Sequence, residues 1–240
     1  MSLFTRRFSP PQPRRDEAER PFWISFSDLM TALMVLFLVA MTVALLAVTH
    51  EISAVEDQKA ARETEIDAFM HEVSGVVAHY PGVRVRGQVV DFGDRARFET
   101  DSHRLDAQQA QLLREVTPRI LALARAPQGA KWLKRVVVEG FADARGSYLY
   151  NLNLSLQRSE RVLCVLLAPP PAPAALSPED RLFIRDLFRV SGASFNALKA
   201  NDAESRRIEL RLEFFDLDER PAAVPRNQPL EEEARCPLGG

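Results

Sequence analysis

The sequence predicts an α/β (α+β) domain, a mixed β-sheet with covering helices, preceded by one N-terminal transmembrane α-helix. Three observations predict this. Pro21–Val48 is a long apolar run with a single charged side chain, Asp28. From residue 83 to residue 215, strand-type and helix-type patterns alternate, which gives a sheet covered by helices. Proline and glycine clusters separate those patterns.

These observations divide the 240 residues into five parts. Residues 1–20 form a cytoplasmic tail, 21–49 the membrane helix and 50–82 a juxtamembrane helical linker. Residues 83–215 form the domain and 216–240 a charged, proline-containing tail. A hydrocarbon core of roughly 30 Å takes about 20 apolar residues as a helix, so the apolar run is long enough to span. It is too long for a signal peptide, and no small-residue cleavage site closes it. Arg6, Arg7, Arg14, Arg15 and Arg20 precede it, while 50–67 holds only Lys59 and Arg62. The positive-inside rule therefore expects a cytoplasmic N-terminus and a C-terminal domain on the outer side, which for the inner membrane of a double-membrane bacterium is the periplasm.

Asp28 sits about one and a half turns into the span. An aspartate at membrane depth costs about 2.5–3.5 kcal/mol on insertion scales. Ser25, Ser27 and Thr31 are expected near its carboxylate. Two readings stand here. Either the side chain reaches back to the headgroups and does nothing, or it loads and releases a cation. Low-dielectric surroundings favour a neutral carboxyl group, which suits a proton more than Na⁺.

After the span, Ile52, Val55, Ile66, Phe69, Val73, Val76 and Tyr80 recur at threes and fours. Such a stripe can pair two copies, or lie on its own domain; pairing is the favoured expectation. Pro81-Gly82 ends the helix. Val83–Arg86 and Val89–Phe92 read as a short hairpin. Asp106 and Gln109 form a capping-box pair opening a helix that carries Pro118, and Gln128-Gly129 is expected to break it. Arg135–Glu139 reads as a buried strand. A helix follows from about Asn151 to Ala168, then the proline-rich break Pro169–Pro173. Ser177 caps a further helix, with Pro178 at its first position, running to about Val190. Ile208–Phe215 alternates as a half-buried strand.

The net charge of −2 argues against a nucleic-acid partner. The four histidines are scattered, and Cys164 and Cys236 form no metal set. In an oxidising compartment the two cysteines could bond; the alternative is a buried helix thiol and a separate tail thiol. No nucleophile–base pair and no metal set emerges. The expectation is therefore no catalytic residue, no cofactor and no enzyme.

The run FWISFSDLMTALMVLFLVAM resembles the membrane helix of flagellar stator B subunits, the MotB family. It is closer still to the B-subunit family of Zorya anti-phage systems, with which it shares PFWIS and DLMTALMVLFLV. Gly140-Phe-Ala-Asp143-x-x-Gly146-x-x-x-Tyr150-Asn151-x-x-Leu154-Ser155-x-x-Arg158 resembles the peptidoglycan-binding signature of OmpA-like domains. Ser205-Arg206-Arg207-Ile208-Glu209 matches a later strand of the same family. Phe141 and Ala142 stand where that family has His-Thr, and Ser205 where it has Asn. SYLYNLNLSLQRSERVLCVLL, KWLKRVVVEGF and SFNALKANDAESRRIELRLEFF are similar to the Zorya rather than the flagellar subunits.

The resemblance implies a function. Asp28 would be the ion-translocating carboxylate. Asp143 would face the ammonium, and Arg158 the carboxylate, of a diaminopimelate stem. Tyr150, Asn151 and Leu154 would shape that peptidoglycan site, Gly146 would allow its tight turn, and free amides near Asn151 would favour the anion. Partners would be a MotA-like (ZorA-type) A subunit, five copies around two of this chain, with peptidoglycan and membrane lipids. A flagellar stator subunit and a passive peptidoglycan tether remain the alternatives.

Overall fold

A computed structural model describes residues 16–219 and 236–239, with side chains from Trp23 onward. The arginines at 6, 7, 14 and 15, on which the expected orientation rests, lie outside the described residues, as do 220–235 of the tail. The chain divides into two compact units, Met1–Gln58 and Lys59–Gly240.

Helix α1 (Asp16–Val77) contributes to both. In the first unit its apolar side chains are exposed, from Trp23 through Val48. It is long and apolar enough to cross a membrane. In the second unit its character changes. Ile66, Phe69, Met70, Val73 and Val77 are buried in the domain core. The Phe69 ring meets Phe214 edge-on at 5.8 Å. Glu65 accepts Trp132 Nε1 at 2.6 Å, and Arg62 Nε donates to the Phe215 carbonyl at 2.8 Å.

The structure thus draws the boundary near residue 59 rather than 83. Much of the stripe read as a pairing face packs on its own domain, because its residues complete a core that the sheet alone leaves open. Ile52 and Val55 of that stripe stay exposed.

The hairpin forms from β1 (Arg84–Arg86) and β2 (Val89–Asp91), with Gly87 in the left-handed region at φ +56°. Helix α2 (Ala107–Arg125) carries the full reciprocal capping box between Asp106 and Gln109. It runs through Pro118 and ends at Ala126. The break precedes Pro127, not Gln128-Gly129, which lie inside the short helix α3 (Pro127–Trp132). Proline disfavours the helical conformation in the residue before it, so Ala126 takes extended backbone.

Strand β3 (Leu133–Gly140) is longer than its apolar centre suggested. Helix α4 (Tyr148–Leu167) starts three residues before Asn151, capped by Ser147. Helix α5 (Pro178–Leu187) has the Ser177 cap and Pro178 start read from the sequence. It stops before Val190, because strand β4 (Phe188–Gly192) takes over as an edge strand. The one-turn helix α6 (Asp202–Ser205) and β5 (Ile208–Phe214) complete the domain.

The sheet order is β1-β2-β5-β3-β4. All neighbours are antiparallel except β3 and β4, which are parallel. The fold is therefore a mixed sheet with covering helices, as the sequence predicts. The turn from β3 into α4 lies beside the start of β5, and this is where the motif residues gather.

Candidate functional site

Gly140 closes β3 against α4. A Cβ there would lie 2.0 Å from the Ser155 carbonyl oxygen, so only glycine allows this approach. The chain then turns outward. The Phe141 amide donates to the Arg207 carbonyl at 3.0 Å, and the Ala142 amide to that of Ser194 at 2.8 Å. Gly146 takes φ +95°, the tight turn expected of it. These constraints put Asp143 at the mouth of the β3–α4 turn.

Asp143 is buried, with 5% of its surface exposed. Its Oδ2 accepts Arg206 Nη1 at 2.9 Å, and its Oδ1 accepts the Arg145 amide at 3.1 Å. Arg145 Nη2 lies 3.4 Å away. Burial pushes the carboxyl group up. The hydrogen bonds from Arg206 and the Arg145 amide, with the positive charge of both arginines, outweigh it and hold Asp143 below the usual carboxylate value.

Arg158 is fully buried. Its Nε donates to the Ser102 carbonyl at 2.9 Å, Nη1 to that of Phe141 at 2.7 Å, and Nη2 to that of Glu99 at 3.2 Å. Its guanidinium lies 5.0 Å from the centre of the Phe98 ring. Burial pulls its pKa down to about 10, so it is still a cation at neutral pH. Such a group is stable in the interior because every nitrogen has an acceptor.

The Arg158 fork is occupied by carbonyls of the Glu99–Ser102 loop and of Phe141. No direct Asp143–Arg158 ion pair forms either; the cations on Asp143 are Arg206 and Arg145.

The remaining motif residues hold this arrangement. Tyr150 donates its hydroxyl to Asp101. That bond, then partial desolvation and the Asp101 charge, raises the phenol above its ordinary value. Asn151 is buried, and its side-chain amide donates to the Arg145 carbonyl at 2.7 Å, fastening the turn from inside. The Asn151 backbone amide is bonded to the Ser147 carbonyl at 3.0 Å, so it is not the free anion donor expected. The cause is the earlier helix start. Leu154 is buried beneath them.

Arg206 Nε donates to the Phe98 carbonyl at 2.9 Å, and with its bond to Asp143 it ties the 98–102 loop to the motif. The signal was present in the Ser205-Arg206-Arg207 match. Arg207, also buried, pairs with Glu209 at 2.6 Å and stacks 3.9 Å from the Phe141 ring centre. Phe141, the departure from the usual histidine, is therefore packed rather than lining an edge.

In the first unit, the Thr31 hydroxyl donates to the Ser27 carbonyl at 2.7 Å and not to Asp28. A helical threonine donates its hydroxyl hydrogen bond to the preceding turn, so Thr31 does not supply the solvation expected of it. Cys164 on α4 and Cys236 are joined as a disulfide. Arg161 donates to the Gly239 carbonyl at 2.9 Å and to that of Leu238 at 3.2 Å, so residues 236–239 lie along α4.

No family model matches the chain. Among solved structures, the cell wall anchor of the type VI secretion system from Pseudomonas aeruginosa is 22% identical, covering 60% of this chain and 97% of its own, with a TM-score of 0.38. The periplasmic domain of Helicobacter pylori MotB is 17% identical over 55% of this chain and 87% of its own, TM-score 0.38. The peptidoglycan-associated lipoprotein of Burkholderia pseudomallei is 18% identical over 50% and 88%, TM-score 0.33. Zorya protein ZorB of Escherichia coli O139:H28 (strain E24377A / ETEC) is 41% identical over 222 residues, which are 91% of this chain and 90% of that protein. Identity of that degree, sustained from the apolar helix through the sheet domain, shows that this chain belongs to the ZorB family.

Proposed function

We propose that this chain is the wall-anchored B subunit of a stator-like, ion-driven complex of the Zorya type, acting in anti-phage defence. The observation that carries the reading is Asp28. It is the one charged side chain between Trp23 and Thr49, on the part of α1 whose apolar side chains are exposed. A carboxylate in that setting is expensive, and a passive tether has no use for it. Two copies of the chain sit within a ring of A subunits on the inner membrane, N-terminus in the cytoplasm. Asp28 takes a proton on one side and loses it on the other.

The domain holds peptidoglycan in the periplasm. A diaminopimelate ammonium meets Asp143, and its carboxylate replaces the Glu99 and Ser102 carbonyls on Arg158. The support is a buried carboxylate and a buried guanidinium in one motif, each already held by groups that mimic such a ligand.

The test is Asp28→Asn in cells that depend on the complex. The variant should assemble with the A subunit, as shown by copurification, and protect against phage no better than an empty vector. Full protection would favour the passive tether.

A further inference from the structure

A second charged cavity lies on the other side of the Ser205–Arg207 segment. It has a volume of about 300 Å³ and is lined by five cationic side chains, Arg84, Arg86, Arg97, Lys199 and Arg207, against three carboxylates. The carboxylates are already engaged. Asp91 is buried, accepting the Gly93 amide at 2.8 Å and facing Arg86 at 3.4 Å. Asp94 pairs with Arg97, and Glu204 accepts the Asn201 side-chain amide at 2.8 Å. Glu209 behind the cavity takes Arg207 at 2.6 Å and Lys199 at 3.7 Å.

Arg86, Arg97, Lys199 and Arg207 each share one of these carboxylates, but five cations stand against four carboxylates. Arg84 has no ion-pair partner among the described residues, and Arg86 is more than half exposed beyond its one contact. Arg207 is held rigidly between Glu209, the Ala197 carbonyl and the Phe141 ring. A fixed guanidinium flanked by exposed ones is a forked donor set for an anion with several oxygens.

We propose that this cavity is a second binding site, separate from the Asp143 site, for a multivalent oxyanion. Adjacent residues serve the two places: Arg206 goes to Asp143, and Arg207 lines the cavity. The shared chemistry is that of phosphate and clustered carboxylate, and periplasmic polymers carry both. The proposal does not depend on ion transport or on stem-peptide binding at Asp143.

The test is calorimetric titration of the full chain, in an uncharged maltoside detergent, with pyrophosphate in one arm and citrate in the other. Saturable binding that weakens with added salt is expected for at least one probe. Charge reversal at exposed Arg84, Arg84→Glu, should weaken it about tenfold or more. Arg97→Gln should weaken it less, because Asp94 already shares that side chain. Arg189→Glu, on the far edge strand β4, should leave it unchanged. Preference for pyrophosphate identifies a phosphate ligand, and preference for citrate a polycarboxylate. No saturable binding of either probe, or equal loss in the Arg84 and Arg189 variants, overturns the proposal. Unchanged thermal unfolding of Arg84→Glu separates loss of the site from loss of the fold.

Discussion

Arg206 Nη1 lies 2.9 Å from Asp143 Oδ2, joining residues 63 apart in sequence. Both side chains are largely buried, 12% and 7% exposed. The pair locks the start of β5 to the β3–α4 turn, and Arg206 extends the lock to Phe98. Arg206→Ala should lower unfolding stability by about 2 kcal/mol, since it leaves a buried carboxylate short of its main donor. Chemical denaturation of the detergent-solubilised chain measures it.

The same pair sets an acid dependence. The Asp143 carboxyl is depressed in the folded state, so its contribution is present above the unfolded value of about 4. It is lost as pH falls through the lower folded value. Asp143→Asn should therefore lower stability at neutral pH and flatten its loss below about pH 4. Thermal unfolding from pH 7 to pH 3 checks the shape.

Tyr150 fastens the loop that covers Arg158, through Asp101. Tyr150→Phe removes one hydrogen bond to a charged acceptor. Amide exchange over 99–103 should speed up about fivefold. If the stem peptide must displace that loop, muropeptide affinity should rise by a similar factor. Faster exchange with weaker binding would mean that Tyr150 contacts the ligand instead. Arg158→Ala should abolish peptidoglycan pull-down; unchanged pull-down would leave Arg158 a purely structural cation.

Gly140 and Ser155 approach so closely that Gly140→Ala should cost about 3 kcal/mol or more, through displacement of α4 from β3. Thermal unfolding measures it, and pull-down should fall with it, because the same shift moves Asp143.

The domain should need the end of α1. Phe69→Ala should cost about 3–5 kcal/mol. A fragment beginning at residue 59 should give dispersed NMR signals, and one beginning at 83 should not.

The parts of this fold that local chemistry dictates were legible in the sequence. The Asp106–Gln109 box, the Ser177-Pro178 start and the turn at Gly146 are each decided by neighbouring residues. So was the alternation of β5, whose inward side chains meet a preformed core. What the sequence concealed depends on distant partners. Phe188–Gly192 is short and follows the α5 pattern without a break, and it is extended because β3 offers it an edge. The Ile66–Val77 stripe fits a second helix and a sheet equally well, and the spacing cannot choose between them. In the candidate site, the motif places Arg158 Nη1 on the carbonyl of Phe141, two residues before Asp143. It could not show that the Glu99 and Ser102 carbonyls would occupy Arg158, since no spacing rule links a loop backbone to a guanidinium 59 and 56 residues away.

The Cys164–Cys236 bond makes a covalent ring of α5, β4, α6 and β5. Within that ring no single backbone cut releases a fragment. A protease that reaches the exposed part of it leaves a nicked molecule of nearly unchanged mass, whose two pieces separate only when a reductant arrives. The last piece of sheet is thus kept with the rest by chemistry rather than by folding alone.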